Sequence, residues 1–166
     1  MDIVIVMGSL SDLSKVEKTI KVLDNFDVEI DVQCLSAHRN AKALDAYMER
    51  VNQSDAKVII ALAGMSAALP GVIASKTIKP VLGVPLTCNV LDGVDALYSM
   101  VQMPSGIPVG TLGIDGMKNA AYLALEIVAL QKETVRKQLM EYRLDLEKSA
   151  IKANEELQTQ LGECHE

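Results

Sequence analysis

Four consecutive residues, Ser36-Ala37-His38-Arg39, bring three chemically useful side chains together. The Ser36 hydroxyl and the Arg39 guanidinium are suited to binding a phosphate. The His38 imidazole can act both as an acid and as a base. A single histidine is more often structural or merely exposed. The only other histidine, His165, is the second-last residue of the sequence, so His38 is the candidate for proton transfer.

The segment Gly8-Ser9-Leu10-Ser11-Asp12 follows an apolar run and precedes a helical pattern. Backbone N–H groups at a helix start, flanked by small side chains, can bind a phosphate. The Asp12 carboxylate can accept hydrogen bonds from ribose hydroxyls. Serine and aspartate are also favoured at helix starts simply as caps, and the segment taken alone slightly favours that interpretation.

The run from Ala63 to Gly71 contains small and apolar residues and no ionisable side chain. It can supply backbone amides and a dry, closely fitting wall, but it cannot transfer a proton to a substrate. Ordinary packing of a helix on a sheet explains the same composition, so this run leaves both interpretations open.

These segments must be positioned by the elements around them. Val- and Ile-rich runs alternate with helical periodicity as far as about residue 130, a pattern typical of βαβα units. We predict five parallel strands at residues 3–7, 28–35, 57–62, 80–86 and 108–114. Helices are predicted at 13–23, 41–51, 72–75 and 94–101 and in a long C-terminal segment. Because ligands of open α/β sheets bind at the carboxyl ends of the strands, the three segments should converge on one crevice.

Composition favours one α/β domain. A chain of 166 residues can bury a core without disulfides or metals. With 49% hydrophobic but only 3% aromatic residues, that core must be mainly aliphatic, as suits a parallel sheet covered by helices. Residues 1–131 form the predicted catalytic domain. Residues 132–166 form a charged helical extension that either folds back over its own sheet or packs on a neighbouring subunit.

Charge and cysteine content exclude several classes of protein. With 22 acidic and 16 basic side chains, a formal charge of −6 and no basic block, nucleic-acid binding is not expected. No apolar run approaches the roughly 20 residues that span a bilayer, and no basic leader precedes the first strand, so we expect a cytoplasmic protein. Cys34, Cys88 and Cys164 form no CxxC pair and their number is odd, which argues against disulfides and zinc. Cys34 is expected to be part of the core.

Residues 3–130 contain a series of short motifs in a characteristic order. The motifs are Met7-Gly8-Ser9, Ser11-Asp12, Ser36-Ala37-His38-Arg39, Leu69-Pro70-Gly71, Gly83-Val84-Pro85, Gly93-Val94-Asp95 and Val101-Gln102-Met103-Pro104. In this order they resemble the catalytic subunits of phosphoribosylaminoimidazole carboxylase, a family that includes the N5-carboxyaminoimidazole ribonucleotide mutases. An ordered series is far more specific than any one of its members.

The resemblance implies a flavodoxin-like, three-layer α/β/α subunit that assembles into a homo-octamer and needs neither a metal nor an organic cofactor. It also implies a ribonucleotide substrate and carbon dioxide as partners. His38 would be the general acid and base, with Asp12 on the ribose. The implied substrate-binding residues are Gly8, Ser9, Ser11, Asp12, Ser36, Ala37, Arg39, Ala63, Gly64, Met65, Ser66 and Leu69.

The motifs leave the reaction class mixed. Many mutases of this family carry a histidine at the position of Ala68, whereas Ser66 and residues 104–106 and 118–121 resemble the class that carboxylates the unmodified ribonucleotide with free carbon dioxide. The longer matches resemble the mutases, so a mutase is predicted, with direct carboxylation as the alternative. A non-catalytic nucleotide- or flavin-binding module is a remote third possibility, disfavoured by the lack of tryptophan and the single phenylalanine.

Overall fold

The computed structural model describes residues 1–163, so Cys164 and His165 lie outside the described part of the chain. The strands are Ile3–Met7 (β1), Ile30–Cys34 (β2), Val58–Gly64 (β3), Val81–Leu86 (β4) and Gly110–Thr111 (β5). The helices are Leu13–Leu23 (α1), Ala41–Gln53 (α2), Leu69–Ala74 (α3), Val94–Val101 (α4), Met117–Ala129 (α5) and Glu133–Glu163 (α6). Short 3-10 turns at Leu10–Asp12 and Leu91–Gly93 precede α1 and α4.

The five strands form one parallel sheet in the order β2-β1-β3-β4-β5. Ile3 lies beside Ile30 of β2 and Val58 of β3, which fixes the register at the centre of the sheet. The chain runs outward from β1 to β2 and then crosses back to β3. The predicted parallel α/β fold is therefore confirmed, and its topological switch point lies at the carboxyl ends of β1 and β3.

Helices cover both faces of the sheet and bury its aliphatic side chains. Alternate residues of a strand point to opposite faces, so Ile5 packs with α1 and α5 while Val6 packs with α2, α3 and α4. All five residues of β1 are buried, as are all six of β4. Continuous apolar runs are what a strand covered on both faces requires, and the three-layer architecture follows from them.

The sheet differs from the prediction at its edges. The fifth strand was expected at 108–114, but only Gly110 and Thr111 pair with β4. Pro108 has no N–H to donate to a ladder, which limits pairing at that end. The other edge strand, β2, is also shorter than predicted and ends at an exposed Cys34. The expectation that Cys34 is part of the core was therefore wrong, because β2 has a neighbour on one side only.

The C-terminal segment is two helices rather than one, separated at residues 130–132. Val135 and Leu139 at the start of α6 are buried in the core. The ring of Tyr142 then stacks on Tyr122 of α5, with 4.6 Å between the ring centroids. Farther along, side chains such as Ile151 are about half exposed, at 54%. The first turns of α6 thus fold back on the domain, and the remaining turns extend from it.

The Tyr122–Tyr142 contact makes a pH-dependent contribution to folding. Burial and the hydrogen bond with Tyr142 raise the pKa of Tyr122 to about 12, from an ordinary value of 10.0. Because the folded-state pKa is raised, this contribution is fully present below about pH 10 and is lost as the pH rises towards 12. We expect the unfolding free energy, measured with urea, to fall more steeply over this range in the natural chain than in Tyr122→Phe. Equal slopes would contradict the contribution.

Candidate functional site

A cleft of about 570 Å³ opens at the carboxyl ends of β1 to β4. All thirteen residues singled out from the sequence line it. They are Gly8, Ser9, Ser11, Asp12, Ser36, Ala37, His38, Arg39, Ala63, Gly64, Met65, Ser66 and Leu69. The three segments therefore converge, as expected from the position of ligand sites in open α/β sheets.

The loop after β1 contributes the hydroxyls of Ser9 and Ser11 and a carboxylate. Ser9 has an extended backbone, and its Oγ accepts hydrogen bonds from the backbone N–H of Ser11 (3.4 Å) and from the Ser11 hydroxyl (2.8 Å). Ser9 is thus a cap of the short turn, in agreement with the capping role considered from the sequence. Asp12 precedes α1 without a side-chain cap bond and is partly buried in the cleft wall. Capping thus accounts for the conformation of Ser9, whereas Asp12 makes no side-chain cap bond and lines the cleft.

The electrostatics of Asp12 reflect its partial burial and the two cations near it. Burial raises the pKa of the Asp12 carboxyl above its ordinary value. The nearby charges of Lys15 and Arg39 oppose this shift without cancelling it. The carboxylate is therefore sensitive to any change in the cations around it.

The loop after β2 is closed by its own polar groups. The backbone N–H of Ser36 donates to Asn40 Oδ1 (2.6 Å), and the backbone N–H of Arg39 donates to Ser36 Oγ (3.2 Å). The Arg39 side chain then crosses to the first loop, where its Nη2 donates to the Gly8 carbonyl at 2.9 Å. One guanidinium thereby joins the two phosphate-binding candidates, and Arg39 itself lines the cleft.

His38 lies at the tip of this closed loop and is exposed at the cleft. Within residues 1–163, no hydrogen bond holds its imidazole. An imidazole that is anchored by its backbone but free at the ring can be oriented by a bound ligand, because apo geometry often tightens only in the complex. Position and freedom together suit His38 to proton transfer.

The third side of the cleft is apolar. Ala63, Ala67 and Leu69 are each at most 6% exposed, and they form the wall beside Gly64. Met65 has a positive φ of 56° and is 67% exposed at the rim. This wall offers no ionisable group, so proton transfer in the cleft falls to the polar loops opposite it.

Five lining residues were not among these thirteen: Ala67 and Ala68, which lie within the run from Ala63 to Gly71 already considered as a wall, and Leu86, Thr87 and Cys88. The last three lie at and just after the end of β4. The rule that ligands bind at carboxyl strand ends could have found them, but their types carry no chemical signal of their own. Cys34, in contrast, does not line the cleft, although it lies two residues before Ser36.

Thr87 belongs to a network of hydrogen bonds with Lys15 and Asp115. Lys15 Nζ donates to the Thr87 carbonyl (2.9 Å), to Thr87 Oγ1 (2.7 Å) and to Asp115 Oδ1 (2.9 Å). Thr87 in turn donates to both oxygens of Asp115 through its N–H (3.1 Å) and its hydroxyl (2.6 Å). Helix α1, the end of β4 and the loop before α5 are joined by these bonds.

A larger cavity of about 1300 Å³ lies at the opposite end of the sheet, near residues 52–57, 74–82 and 106–110. None of the predicted site residues lines it. Among residues 1–163, no cluster of three potential metal ligands occurs. In the same part of the chain, no helix combines the length and apolarity needed to cross a bilayer.

The doubly wound sheet, the two polar loops and the apolar wall define a small-molecule site of the kind that α/β enzymes form at their strand ends. The family model described as AIR carboxylase matches residues 2–149. This chain belongs to that family.

Individual relatives agree with this assignment over most of the chain. The N5-carboxyaminoimidazole ribonucleotide mutase of Methanocaldococcus jannaschii is 50% identical over 155 residues, which cover 93% of this chain and 96% of the relative. The mutase of Escherichia coli K12 is 45% identical over 143 residues, 85% of either chain. The crystal structure of Treponema denticola PurE superposes with a TM-score of 0.83 at 29% identity and covers 90% of this chain and 94% of that one.

Proposed function

We propose that this chain is an N5-carboxyaminoimidazole ribonucleotide mutase of purine biosynthesis. The observation that carries the proposal is the cleft itself, which His38 lines together with hydroxyl groups, a guanidinium and an apolar wall. The names of the M. jannaschii and E. coli relatives support the same reaction.

The two polar loops would bind the ribose phosphate. Arg39 already donates to the Gly8 carbonyl, so its remaining N–H groups are held where a phosphate would meet Ser9 and Ser36. Asp12, beside them, would accept hydrogen bonds from the ribose hydroxyls. The net charge of −6 does not oppose this, because the local field of a guanidinium and the helix starts governs the capture of an anion.

The reaction requires one proton to be delivered and one to be removed. Protonation of the exocyclic nitrogen by His38 allows the N–C bond to the carboxylate to break, which releases carbon dioxide and leaves the neutral amine. The adjacent ring carbon then attacks the carbon dioxide, and His38 removes the proton from that carbon. The imidazole ends in its starting state, so a single acid–base group balances the isomerisation.

Carbon dioxide must stay in the cleft between these two steps. The apolar wall formed by Ala63, Ala67 and Leu69 has no group that would hydrate it, and it lies opposite the loop of His38. Holding the released molecule beside the nucleophilic carbon replaces a bimolecular encounter with a local one. This is the role we assign to the run of small residues.

Direct carboxylation of the unmodified ribonucleotide is the second candidate. One observation favours it: Ala68 lines the cleft, at a position where many mutases of the resembled family carry a histidine. A flavin-binding role has less support, since Phe26 packs edge-on against Tyr122 and Tyr142 at the α5–α6 contact and does not line the cleft.

A comparison of two substrates tests the proposal. Purified protein would be given N5-carboxyaminoimidazole ribonucleotide without bicarbonate and, separately, aminoimidazole ribonucleotide with excess bicarbonate. We expect 4-carboxyaminoimidazole ribonucleotide to form rapidly from the first substrate. Turnover of the second alone would overturn the mutase proposal in favour of the carboxylase.

The pKa of Asp12 gives this proposal a pH signature. Because burial raises that pKa, the carboxylate that would bind ribose becomes protonated at a higher pH than an ordinary aspartate. We expect substrate affinity to fall as the pH is lowered through this pKa. Asp12→Asn should bind more weakly at neutral pH and should lose the acid limb of the kcat/KM profile. An unchanged acid limb in the variant would exclude Asp12 as its origin.

The assembly and location remain part of the proposal. Exposed apolar side chains on one side of α4, including Val94, Tyr98 and Val101, and those along the extended part of α6 are suited to contacts between copies. We propose the homo-octamer implied by the family resemblance, in the cytoplasm. Light scattering of the purified protein measures the assembly directly, and a monomeric mass would contradict it.

A further inference from the structure

Lys15 donates hydrogen bonds to two residues, Thr87 and Asp115. Its ammonium has three N–H donors, and the Thr87 carbonyl, Thr87 Oγ1 and Asp115 Oδ1 accept from it at 2.7–2.9 Å. Its side chain is 24% exposed, so the charge is only partly screened by water. The other two lysines of α1, Lys18 and Lys21, are exposed and form no ion pair within residues 1–163.

Asp115 is held in a conformation that needs such contacts. Its φ is +52°, in the left-handed region that residues with a side chain rarely adopt. Its backbone N–H donates to the Pro85 carbonyl at 2.9 Å, and its carboxylate accepts from Lys15 and Thr87. Burial would raise the pKa of Asp115, but the hydrogen bonds from Thr87 and Lys15 outweigh it and the pKa is lowered. The charged carboxylate is therefore the form that the network holds.

The network places two walls of the cleft relative to each other. Lys15 lies in the first turn of α1, three residues after Asp12, whereas Thr87 and Cys88 line the cleft just after β4. Lys15 itself does not line the cleft. Its ammonium is thus the link that fixes the β4 end against the loop that carries Asp12.

We infer that Lys15 is a positioning residue for ribonucleotide binding: through Thr87 and Asp115 it holds the end of β4 against the Ser9–Asp12 loop. This inference rests on the proposed function. Removal of Lys15 would change the width of the cleft on its ribose side, although Lys15 itself does not touch the ligand. The residues that line the cleft give no reason to expect this effect on binding.

Lys15 also acts on the charge of Asp12. The charged groups that face Asp12 are Lys15 from α1 and Arg39 from the loop after β2, with Ser11 as a hydrogen-bond donor. His38 and Cys88 are the other titratable residues of the cleft lining. Loss of Lys15 removes one of two opposing cations, so the pKa of Asp12 must rise further. If Lys15 only stabilised the fold and its charge did not act on Asp12, that pKa would stay unchanged.

The test compares Lys15→Met with the natural chain and with Lys18→Met, which removes the same charge from an exposed position of the same helix. Affinity for 4-carboxyaminoimidazole ribonucleotide, the product of either candidate reaction, would be measured by calorimetry over a range of pH. We expect Lys15→Met to bind about tenfold more weakly, with its acid limb shifted to higher pH. Lys18→Met should match the natural chain, and kcat of Lys15→Met should change much less than KM.

Two further variants keep the test decisive if Lys15→Met folds poorly. Lys15→Arg retains the charge and should restore most of the affinity and the acid limb. Thr87→Val removes the hydroxyl and should weaken binding without moving the acid limb. Natural affinity and an unmoved limb in Lys15→Met, with only a lower melting temperature, would overturn the inference. Failure of the natural chain to bind the product would instead reject the proposed function.

Discussion

Replacing His38 by asparagine is expected to lower kcat by about three orders of magnitude, which is within the range for loss of a general acid–base group. Asparagine can donate and accept hydrogen bonds, but it cannot deliver a proton at neutral pH. Both halves of the proposed reaction depend on the imidazole, since protonation at nitrogen and deprotonation at carbon use the same group. Initial rates with N5-carboxyaminoimidazole ribonucleotide measure the effect.

The fold and the nucleotide affinity should survive this change. His38 is exposed at the tip of a loop that is closed by Ser36, Arg39 and Asn40, and within residues 1–163 its ring makes no hydrogen bond to another element. The melting temperature and the affinity for 4-carboxyaminoimidazole ribonucleotide should therefore stay close to those of the natural chain. Retained turnover in His38→Asn would return His38 to the exposed, non-catalytic class.

Replacing Arg39 by alanine is expected to raise KM by about a hundredfold. A charge-assisted hydrogen bond to a phosphate is roughly twice as strong as a neutral one, and the guanidinium also bridges the two loops through the Gly8 carbonyl. The change therefore removes a ligand contact and loosens the site. Steady-state kinetics at several salt concentrations measure it, because loss of a cation should also reduce the salt dependence of KM.

Two controls separate binding from folding in this prediction. Arg39→Lys keeps the charge but loses the planar, two-pronged donor geometry, so its KM should lie between that of the natural chain and that of Arg39→Ala. Arg50→Ala removes an arginine that lies over the Tyr47 ring on α2, away from the cleft, and should leave KM unchanged. If Arg39→Ala instead lowers kcat at an unchanged KM, then Arg39 does not bind the ground-state phosphate.

The centre of the fold could be predicted because its signal is local. In β1, β3 and β4 the apolar runs are continuous, and each is followed by small or turn-forming residues. The site then follows from topology, since parallel strands present their carboxyl ends at one edge of the sheet. That rule brings Asp12, His38 and Leu69 together without any knowledge of their contacts.

The edges and the long-range contacts could not be predicted in the same way. The extent of β5 depends on whether a partner strand is available, and the break between α5 and α6 depends on where the tail meets the core. The bond between Lys15 and Asp115 joins residues 100 positions apart. Neither residue type at such a spacing signals an interaction, so only the folded chain reveals it.

In the proposed reaction, carbon dioxide released from nitrogen is held in this cleft until it is added to carbon. The most direct measurement uses N5-carboxyaminoimidazole ribonucleotide with an isotopically labelled carboxyl carbon, turned over in excess unlabelled bicarbonate. Mass spectrometry of the product then reports the source of its carboxylate. We predict that 4-carboxyaminoimidazole ribonucleotide retains the label. A product that carries unlabelled carboxylate would contradict a closed transfer, because its carbon would have come from the solution.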